Sequence, residues 1–148
     1  MRKTSKILGS LLFCGAAIST MAGCHRAPDE SLVRQAIVRA ASAAEQADAS
    51  ALGDQLSDDF DGNGEGLDRR QLMNVLRAAH FRGEAIHALT GPVVVEQRGD
   101  RYVATFTVTL TSGGKWLPTE TGVYQVESAW RREGRQWRCY SARWTRQV

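Results

Sequence analysis

The sequence lacks the local motifs by which several enzyme classes are recognised. It contains no nucleophile elbow, no glycine-rich loop of the kind that cradles phosphates, and no pair of cysteines at metal-site or redox-site spacing. The sequence therefore gives no local indication of these chemistries, and its function has to be inferred from its overall organisation.

Cysteine is scarce. The chain holds three, Cys14, Cys24 and Cys139, and the first two lie in the N-terminal segment described below. The rest of the chain thus cannot form an intrachain disulfide, and Cys139 is predicted to be a buried, small apolar residue. Intermolecular pairing and a reactive thiol are the alternatives.

Outside the N-terminal segment, the chain also lacks an excess of positive or negative charge. Its formal net charge is +3, but positions 1–23 hold three basic residues and no acidic one. If that segment is removed, the remaining chain is formally neutral. A basic surface for nucleic acid is therefore not expected, and no nucleic-acid partner is predicted.

The N-terminal segment has the three parts of an export signal. A cationic start at Arg2, Lys3 and Lys6 precedes an apolar stretch over 7–18 and small residues over 19–23. The run Met21-Ala22-Gly23-Cys24 resembles the lipobox of bacterial lipoproteins. That resemblance implies cleavage after residue 23, diacylglycerol on the Cys24 thiol and acylation of the new amine, for example with palmitate. An uncleaved membrane anchor is the alternative.

The residues after Cys24 set the expected location. In the lipoprotein pattern an Asp beside the lipidated cysteine retains the protein at the inner membrane, whereas this chain has His25. The resemblance thus implies a lipid-anchored protein of the bacterial outer membrane that faces the periplasm. Residues 24–28 are the lipidated cysteine and a short tether, of which 25–28 span at most about 14 Å. Residues 29–148 are predicted to form one domain.

Apolar periodicity predicts helices in the first half of this domain. Asp29 is predicted to be the N-cap of a helix that runs to about residue 48 with a mostly alanine contact face. A short helix over 49–56 and a polar, glycine-rich loop over 58–66 follow. Asp68 and Gln71 predict a capping box for a third helix, which ends near 81–83. Four of its residues are predicted to point inward: Leu72, Val75, Leu76 and Ala79.

The second half of the domain has the period of two that is typical of strands. Strands are predicted over 84–89, 93–97, 102–110, 121–132 and 136–145, as a meander of antiparallel hairpins with turns near residues 99, 113 and 134. Helices followed by strands favour an α+β domain, in which the N-terminal helices pack on one face of a curved, mostly antiparallel sheet.

This layout resembles the nuclear transport factor 2-like superfamily, which includes SnoaL-like and ketosteroid isomerase-like domains. The resemblance covers about 29–144. It rests on the order of the helices, on the Leu56-Ser57-Asp58-Asp59-Phe60 element and on the tryptophan-rich final hairpin (WRREGRQWRCYSARW). It implies a cone of bent sheet around the first helix, with any pocket between the helices and the concave face. Because this superfamily hosts isomerases, dehydratases, ligand binders and interaction modules, the fold does not assign a function.

The candidate pocket residues are Tyr102, Phe106, Tyr124, Glu127 and Trp130. Large aromatic residues fill the core by default, and lining a ligand pocket is the alternative. By resemblance to ketosteroid isomerase, an enzyme would use Glu127 or Asp59 as the base and Tyr102 or Tyr124 as the hydrogen-bond donor. Nothing singles these residues out, so no catalytic residue and no cofactor are predicted.

Asp59, Asp61 and Asn63 are weak candidates for a metal site. With Gly64 they match the first ligand positions of a calcium loop, but position twelve is Arg70 where glutamate is required. His80 and His87 lie seven residues apart across a helix-to-strand break, and no third ligand is spaced to join them. No metal site is predicted.

Six arginines cluster around the final hairpin, and Glu133 is the one acidic residue expected to oppose them: Arg131, Arg132, Arg135, Arg138, Arg143 and Arg146. Such a cluster is typical of a solvated face, and the alternative is contact with anionic headgroups or with an acidic partner. The resulting hypothesis is a lipid-anchored envelope protein that binds a small apolar ligand or another envelope protein without catalysis. An isomerase or dehydratase and a homodimerising structural module are the alternatives.

Overall fold

Three helices and seven strands make up the part of the chain that the computed structural model describes, residues 28–64, 66–114 and 117–147. The predicted signal (1–23), Cys24 and most of the predicted tether lie outside the described residues. None of the described helices is long and apolar enough to cross a membrane.

The helices are α1 (Asp29–Glu45), α2 (Ala49–Asp54) and α3 (Arg69–Phe81). The capping box of α3 is confirmed: the Gln71 backbone N–H donates to the Asp68 carboxylate at 2.7 Å, and the Gln71 side chain accepts from the Asp68 N–H at 2.8 Å. The N-cap prediction for α1 was wrong. Pro28 holds that position without a side-chain cap, and Asp29 lies in the first turn.

The inward face of α3 is narrower than predicted. Leu76 and Ala79 are buried and Leu72 packs against the core, but Val75 is 59 % exposed. Three of the four predicted positions thus lie on the contact face. The prediction for Val75 was wrong, because α3 packs at the edge of the domain and only a narrow stripe of its surface contacts the core.

The strands are β1 (Leu56–Gly62), β2 (Leu67–Asp68), β3 (Ala85–Thr90), β4 (Val94–Arg98), β5 (Arg101–Gly114), β6 (Leu117–Glu133) and β7 (Gln136–Arg146). They form one sheet in the order β2-β1-β7-β6-β5-β3, and β4 also pairs with β5. Both β3 and β4 pair antiparallel with β5, and the pairs β5–β6 and β6–β7 are also antiparallel, whereas β1 runs parallel to β7.

Two sequence predictions are corrected by this topology. The three predicted hairpins, with turns near residues 99, 113 and 134, are confirmed, but the strands do not form a simple meander, because β3 pairs with β5 and not with β4. The loop over 58–66 was also wrong in its first half, because β1 extends to Gly62. Phe60, within this polar segment, is buried, so pairing with β7 and core packing override the local composition.

The core lies between the helices and the inner face of the sheet. Val33 and Ile37 of α1 are buried with Phe60 of β1 and with Trp130 and Trp137 of the last hairpin. This is the predicted α+β architecture, with N-terminal helices on one face of a mostly antiparallel sheet.

Candidate functional site

A central cavity of about 420 Å³ lies between the helices and the inner face of the sheet. Its floor consists of buried residues of β1, β6 and β7: Leu56, Phe60, Trp130 and Cys139. Half-buried residues of β5 and β6 form one wall: Val108, Leu110, Tyr124 and Val126. The remaining lining comes from α1, α3 and β7: Ala40, Leu72, Ala142 and Trp144. This volume lies in the range of small-molecule sites, about 300–1,000 Å³.

A side cavity of about 170 Å³ adjoins the central cavity beneath α1. Its lining from the helix is mostly alanine: Ile37, Ala40, Ala41 and Ala44. The sheet contributes the opposite wall: Ala88, Thr90, Phe106, Val108, Leu110 and Trp130. Four of these ten residues, Ala40, Val108, Leu110 and Trp130, also line the central cavity.

The alternation of side chains along β6 explains one wall of the central cavity. Tyr124, Val126 and Trp130 line it, and Ser128, which has the same parity, is buried. Successive side chains of a strand point to opposite faces, so every second residue of β6 faces the helices.

A β-bulge explains how β7 reaches the same cavity. Tyr140 is an extra residue in β7, because Trp130 pairs with Cys139 while Ala129 pairs with Ser141. A bulge of this kind leaves one residue unpaired and re-aims the side chains that follow. The inward-facing positions of β7 are therefore odd-numbered before the bulge and even-numbered after it. The cavity is lined by Cys139 before the bulge and by Ala142 and Trp144 after it.

The lining of the central cavity is almost wholly apolar. The Trp130 indole N–H donates to Ser128 Oγ at 2.9 Å, and the Cys139 thiol donates to the Ser141 carbonyl at 3.2 Å. Burial raises the pKa of the Cys139 thiol to about 12, so that it stays protonated. Among the described residues that line this cavity, none carries a carboxylate, an imidazole or a cation.

Four of the five predicted pocket residues are aromatic, and the structure separates them. Tyr124 and Trp130 line the central cavity, and Phe106 and Trp130 line the side cavity. Tyr102 pairs with Trp130 across β5 and β6 but packs edge to face on Trp137, with ring centroids 5.1 Å apart, and it lines neither cavity. The structure thus brings Phe106, Tyr124 and Trp130 together and leaves Tyr102 out.

The expectation that Glu127 belongs to this set was wrong. Glu127 is exposed and pairs with Thr105 and Arg143. Its position is odd, whereas the cavity-facing residues of β6 are even, so its side chain lies on the outer face of the sheet. The same parity rule, applied to the sequence, separates Glu127 from Tyr124 and Trp130.

Sequence reasoning missed most of the other lining residues. Phe60 lay in a predicted loop, and Ala142 and Trp144 face inward only because of the bulge at Tyr140. The alanine face of α1 was the one available signal, since small residues at Ala40 and its neighbours leave room beside the sheet. The cavity wall at β7 had no signal in the sequence.

Asp59, the other candidate base, lies outside the central cavity. Both of its carboxylate oxygens accept from the Arg131 guanidinium, at 2.9 and 2.5 Å. Arg131 also donates to Glu133 at 2.8 Å, and Ser57 Oγ donates to the same carboxylate at 2.7 Å. The Arg131 hydrogen bond lowers the pKa of Asp59, and the Ser57 hydrogen bond, followed by Arg131, lowers the pKa of Glu133. These carboxylates form a structural ion cluster, and neither is placed to take a proton from a ligand in the cavity.

The weak metal candidates have other partners. Asn63 accepts from the Trp144 backbone N–H at 2.8 Å and donates its own N–H to the Ala142 carbonyl at 2.8 Å. Asp61 is exposed on β1, where its backbone pairs with Asp68 of β2. Asp59 is held by Arg131. In the part of the chain that the structure describes, no group of three or more His, Cys, Asp or Glu side chains is arranged to hold a metal ion.

The two histidines lie away from the cavities. His80 is exposed in the last turn of α3, and His87 is exposed on β3. Neither contributes to the lining of the central or the side cavity.

The arginine cluster has more acidic partners than predicted. Arg132 donates to the Asp29 carboxylate and lies 5.1 Å from the centroid of the Trp137 ring. Asp59 opposes Arg131 from β1, so the expectation that Glu133 stands alone was wrong. Long-range pairing brings these acids to the final hairpin, and composition near the hairpin does not reveal them.

Comparison with solved structures shows that the chain has the nuclear transport factor 2-like (NTF2-like) fold. A protein of the NTF2-like family from Streptomyces avermitilis, described as a proposed dehydratase, is similar over 82 % of this chain and 99 % of its own, with a TM-score of 0.69 and 19 % identity. An NTF2-like protein from Cytophaga hutchinsonii matches 80 % of this chain and 98 % of its own, with a TM-score of 0.70 and 12 % identity.

A ketosteroid isomerase-like protein from Erwinia carotovora atroseptica covers 83 % of this chain and 99 % of its own, with a TM-score of 0.65 and 16 % identity. No protein-family model and no curated protein matches the sequence. At these identities the likeness establishes the fold alone, because the same fold carries unrelated functions.

Proposed function

We propose that this chain is a lipid-anchored protein of the bacterial outer membrane whose NTF2-like domain binds a small apolar ligand in the periplasm without catalysis. The observation that carries the ligand-binding part is the central cavity of about 420 Å³, with its apolar lining and Tyr124 at one wall. Burial of an apolar molecule there gains about 0.8 kcal/mol per methylene, which is enough for specific binding without an ion pair.

The absence of a base in the described lining favours binding over chemistry. An isomerase or dehydratase mechanism needs a carboxylate or imidazole within hydrogen-bond reach of the proton that it removes. Glu127 points away from the cavity, and Asp59 is paired with Arg131 outside it. The named activities of two of the similar structures thus have no counterpart among the residues that line this cavity.

The position of the cavity also suits a tethered domain. The chain enters the domain at Pro28 and Asp29, and Asp29 binds Arg132 at the end of β6. Tyr124, which lines one wall of the cavity, lies eight residues back along β6, which is about 27 Å in a strand. A lipid on Cys24 would therefore hold the domain at a distance from the Tyr124 wall of the cavity, which leaves that wall accessible from the periplasm.

Ligand binding is tested by fluorescence titration of the full chain in lipid nanodiscs with apolar compounds that carry bromine, which quenches tryptophan on contact. Trp130 and Trp144 lie in the lining, so we expect saturable quenching. Ala142→Leu places a larger side chain inside the cavity and should abolish saturable quenching. Ala129→Leu makes the same change on the outer face of β6 and should leave it unchanged. Equal quenching in both variants would contradict the proposal.

The anchor is tested by growth with labelled palmitate followed by membrane fractionation. We expect the label on the wild-type chain and the protein in the outer-membrane fraction. The Cys24→Ser variant should take up no label and should keep residues 1–23. A wild-type product with an unmodified Cys24 would refute the lipid anchor and leave the ligand-binding part to its own test.

A further inference from the structure

The ligand class follows from the way in which the two cavities adjoin. We infer that the ligand is an unbranched aliphatic chain, which runs from the central cavity into the side cavity beneath α1. Its polar end remains near Tyr124, and its tail ends between α1 and β3. This inference rests on the ligand-binding function proposed above.

The two cavities are neighbours in the fold, because four residues belong to both linings. Ala40, Val108, Leu110 and Trp130 line both of them. A molecule that extends past these four residues moves from the part of the site lined by β7 to the part lined by β3. Among the described residues that line this path, none carries a charge. The polar side chain on the way is Thr90 at the far wall. The path therefore suits a chain of methylenes and offers no hydrogen-bond partner to a polar middle section.

The path crosses almost the whole width of the sheet. The central cavity reaches β1 and β7, and the side cavity reaches β3. In the order β1-β7-β6-β5-β3 this is four strand spacings, or about 19 Å at ~4.8 Å each. A site that is this long and holds about 420 Å³ in one part and about 170 Å³ in the other matches an elongated guest better than a globular one.

The alanine face of α1 keeps the path open. Ala40, Ala41 and Ala44 contribute only methyl groups to the side cavity, and all three are half-buried. A leucine at Ala44 would occupy the side cavity and leave the central cavity untouched, because Ala44 lines the side cavity alone. Leucine has a high helix propensity, so the substitution does not weaken α1.

The experiment is a titration of the full chain in nanodiscs with a homologous series of saturated fatty acids, with tryptophan fluorescence as the readout. Affinities are expressed per free aqueous fatty acid, determined with protein-free discs of the same composition, because partitioning into the lipid also rises with chain length. For the wild type we expect about fourfold tighter binding per added methylene, up to the length at which both cavities are filled. Ala44→Leu should bind short acids as the wild type does and show no further gain for long ones.

Ala41→Leu provides a second block of the side cavity, and Ala142→Leu blocks the central cavity. We expect the first to reproduce the Ala44→Leu pattern and the second to abolish binding at every chain length. Retained binding of short acids also shows that a side-cavity variant is folded. An unchanged gain with chain length in both side-cavity variants would overturn the inference.

A rigid fused-ring compound of matched carbon number separates this inference from the proposed function. We expect it to bind more weakly than the long fatty acid and to be insensitive to Ala44→Leu. If the rigid compound binds and the fatty acids do not, the inference fails and the ligand-binding function stands. If neither compound class binds the wild type, both fail.

Discussion

The two ends of the inner sheet face are built in different ways. At the N-terminal end, where α1 begins, Trp137 packs edge to face on Tyr102, and Arg132 lies over the Trp137 ring while it binds Asp29. At the cavity end, Tyr124 and Trp144 border an apolar space. Both ends are built from large aromatic residues, yet the space at the cavity end is apolar, whereas the cleft of about 350 Å³ at the N-terminal end is lined by charged residues such as Asp29 and Arg132 beside Trp137.

The difference shows that aromatic content does not by itself distinguish core from pocket. Trp137 is 6 % exposed and has partners on both sides, whereas Trp144 is half-buried with the cavity on one side. Side chains that face a cavity lose dispersion contacts on that face. The N-terminal end therefore contributes more to stability than the cavity end does.

The largest expected effect is the loss of Trp137. We expect Trp137→Ala to lower the free energy of unfolding by about 3–5 kcal/mol, because it removes a large, fully packed aromatic residue. Trp144→Ala should cost clearly less, since part of its surface already faces the cavity. Urea denaturation followed by circular dichroism measures both, and equal losses would remove the contrast between the two ends.

A smaller effect is expected at the Arg132 ion pair. Arg132→Met keeps the contact with the Trp137 ring but removes the partly buried bond to Asp29, and we expect a loss of about 1 kcal/mol. Arg98→Met is the matched control, because Arg98 and Glu96 form a pair in which both side chains are 62 % exposed. The control should change the urea midpoint little. A control loss as large as that of Arg132→Met would contradict the assigned role.

The smallest effect is a difference in acid sensitivity at the Asp59–Arg131–Glu133 cluster. Both carboxyl pKa values are lowered below their ordinary values of 3.8 and 4.5. Because the folded pKa values are the lower ones, the stabilisation is present above these ordinary values and is lost as the pH falls through the folded ones. We expect Arg131→Met to flatten the acid limb of a plot of urea midpoint against pH. An acid limb as steep as that of the wild type would show that Arg131 does not hold these carboxylates.

Local sequence signals predicted the parts of the fold that depend on near neighbours. The capping box at Asp68 and Gln71 and the period-two strands belong to this class. The parity of β6 also contains the information that Trp130 faces inward and Glu127 does not. These features follow from the geometry of one element and need no knowledge of its partners.

Long-range pairing determined what could not be predicted. The parallel contact of β1 with β7 turns a polar segment into a strand with Phe60 buried. The bulge at Tyr140 reverses the facing of the residues after it. The acidic partners of Arg131 and Arg132 come from positions 72 and 103 residues away. Each depends on tertiary register, which local composition does not encode.

The central claim is that the space between the helices and the sheet receives an apolar guest. Its most direct test is a high-resolution crystal structure of the protein purified from its native host. The account predicts elongated density that contacts Tyr124, Trp130 and Ala142 and extends towards Ala44. A cavity filled by the protein's own side chains, with Trp144 turned into it, would contradict the account.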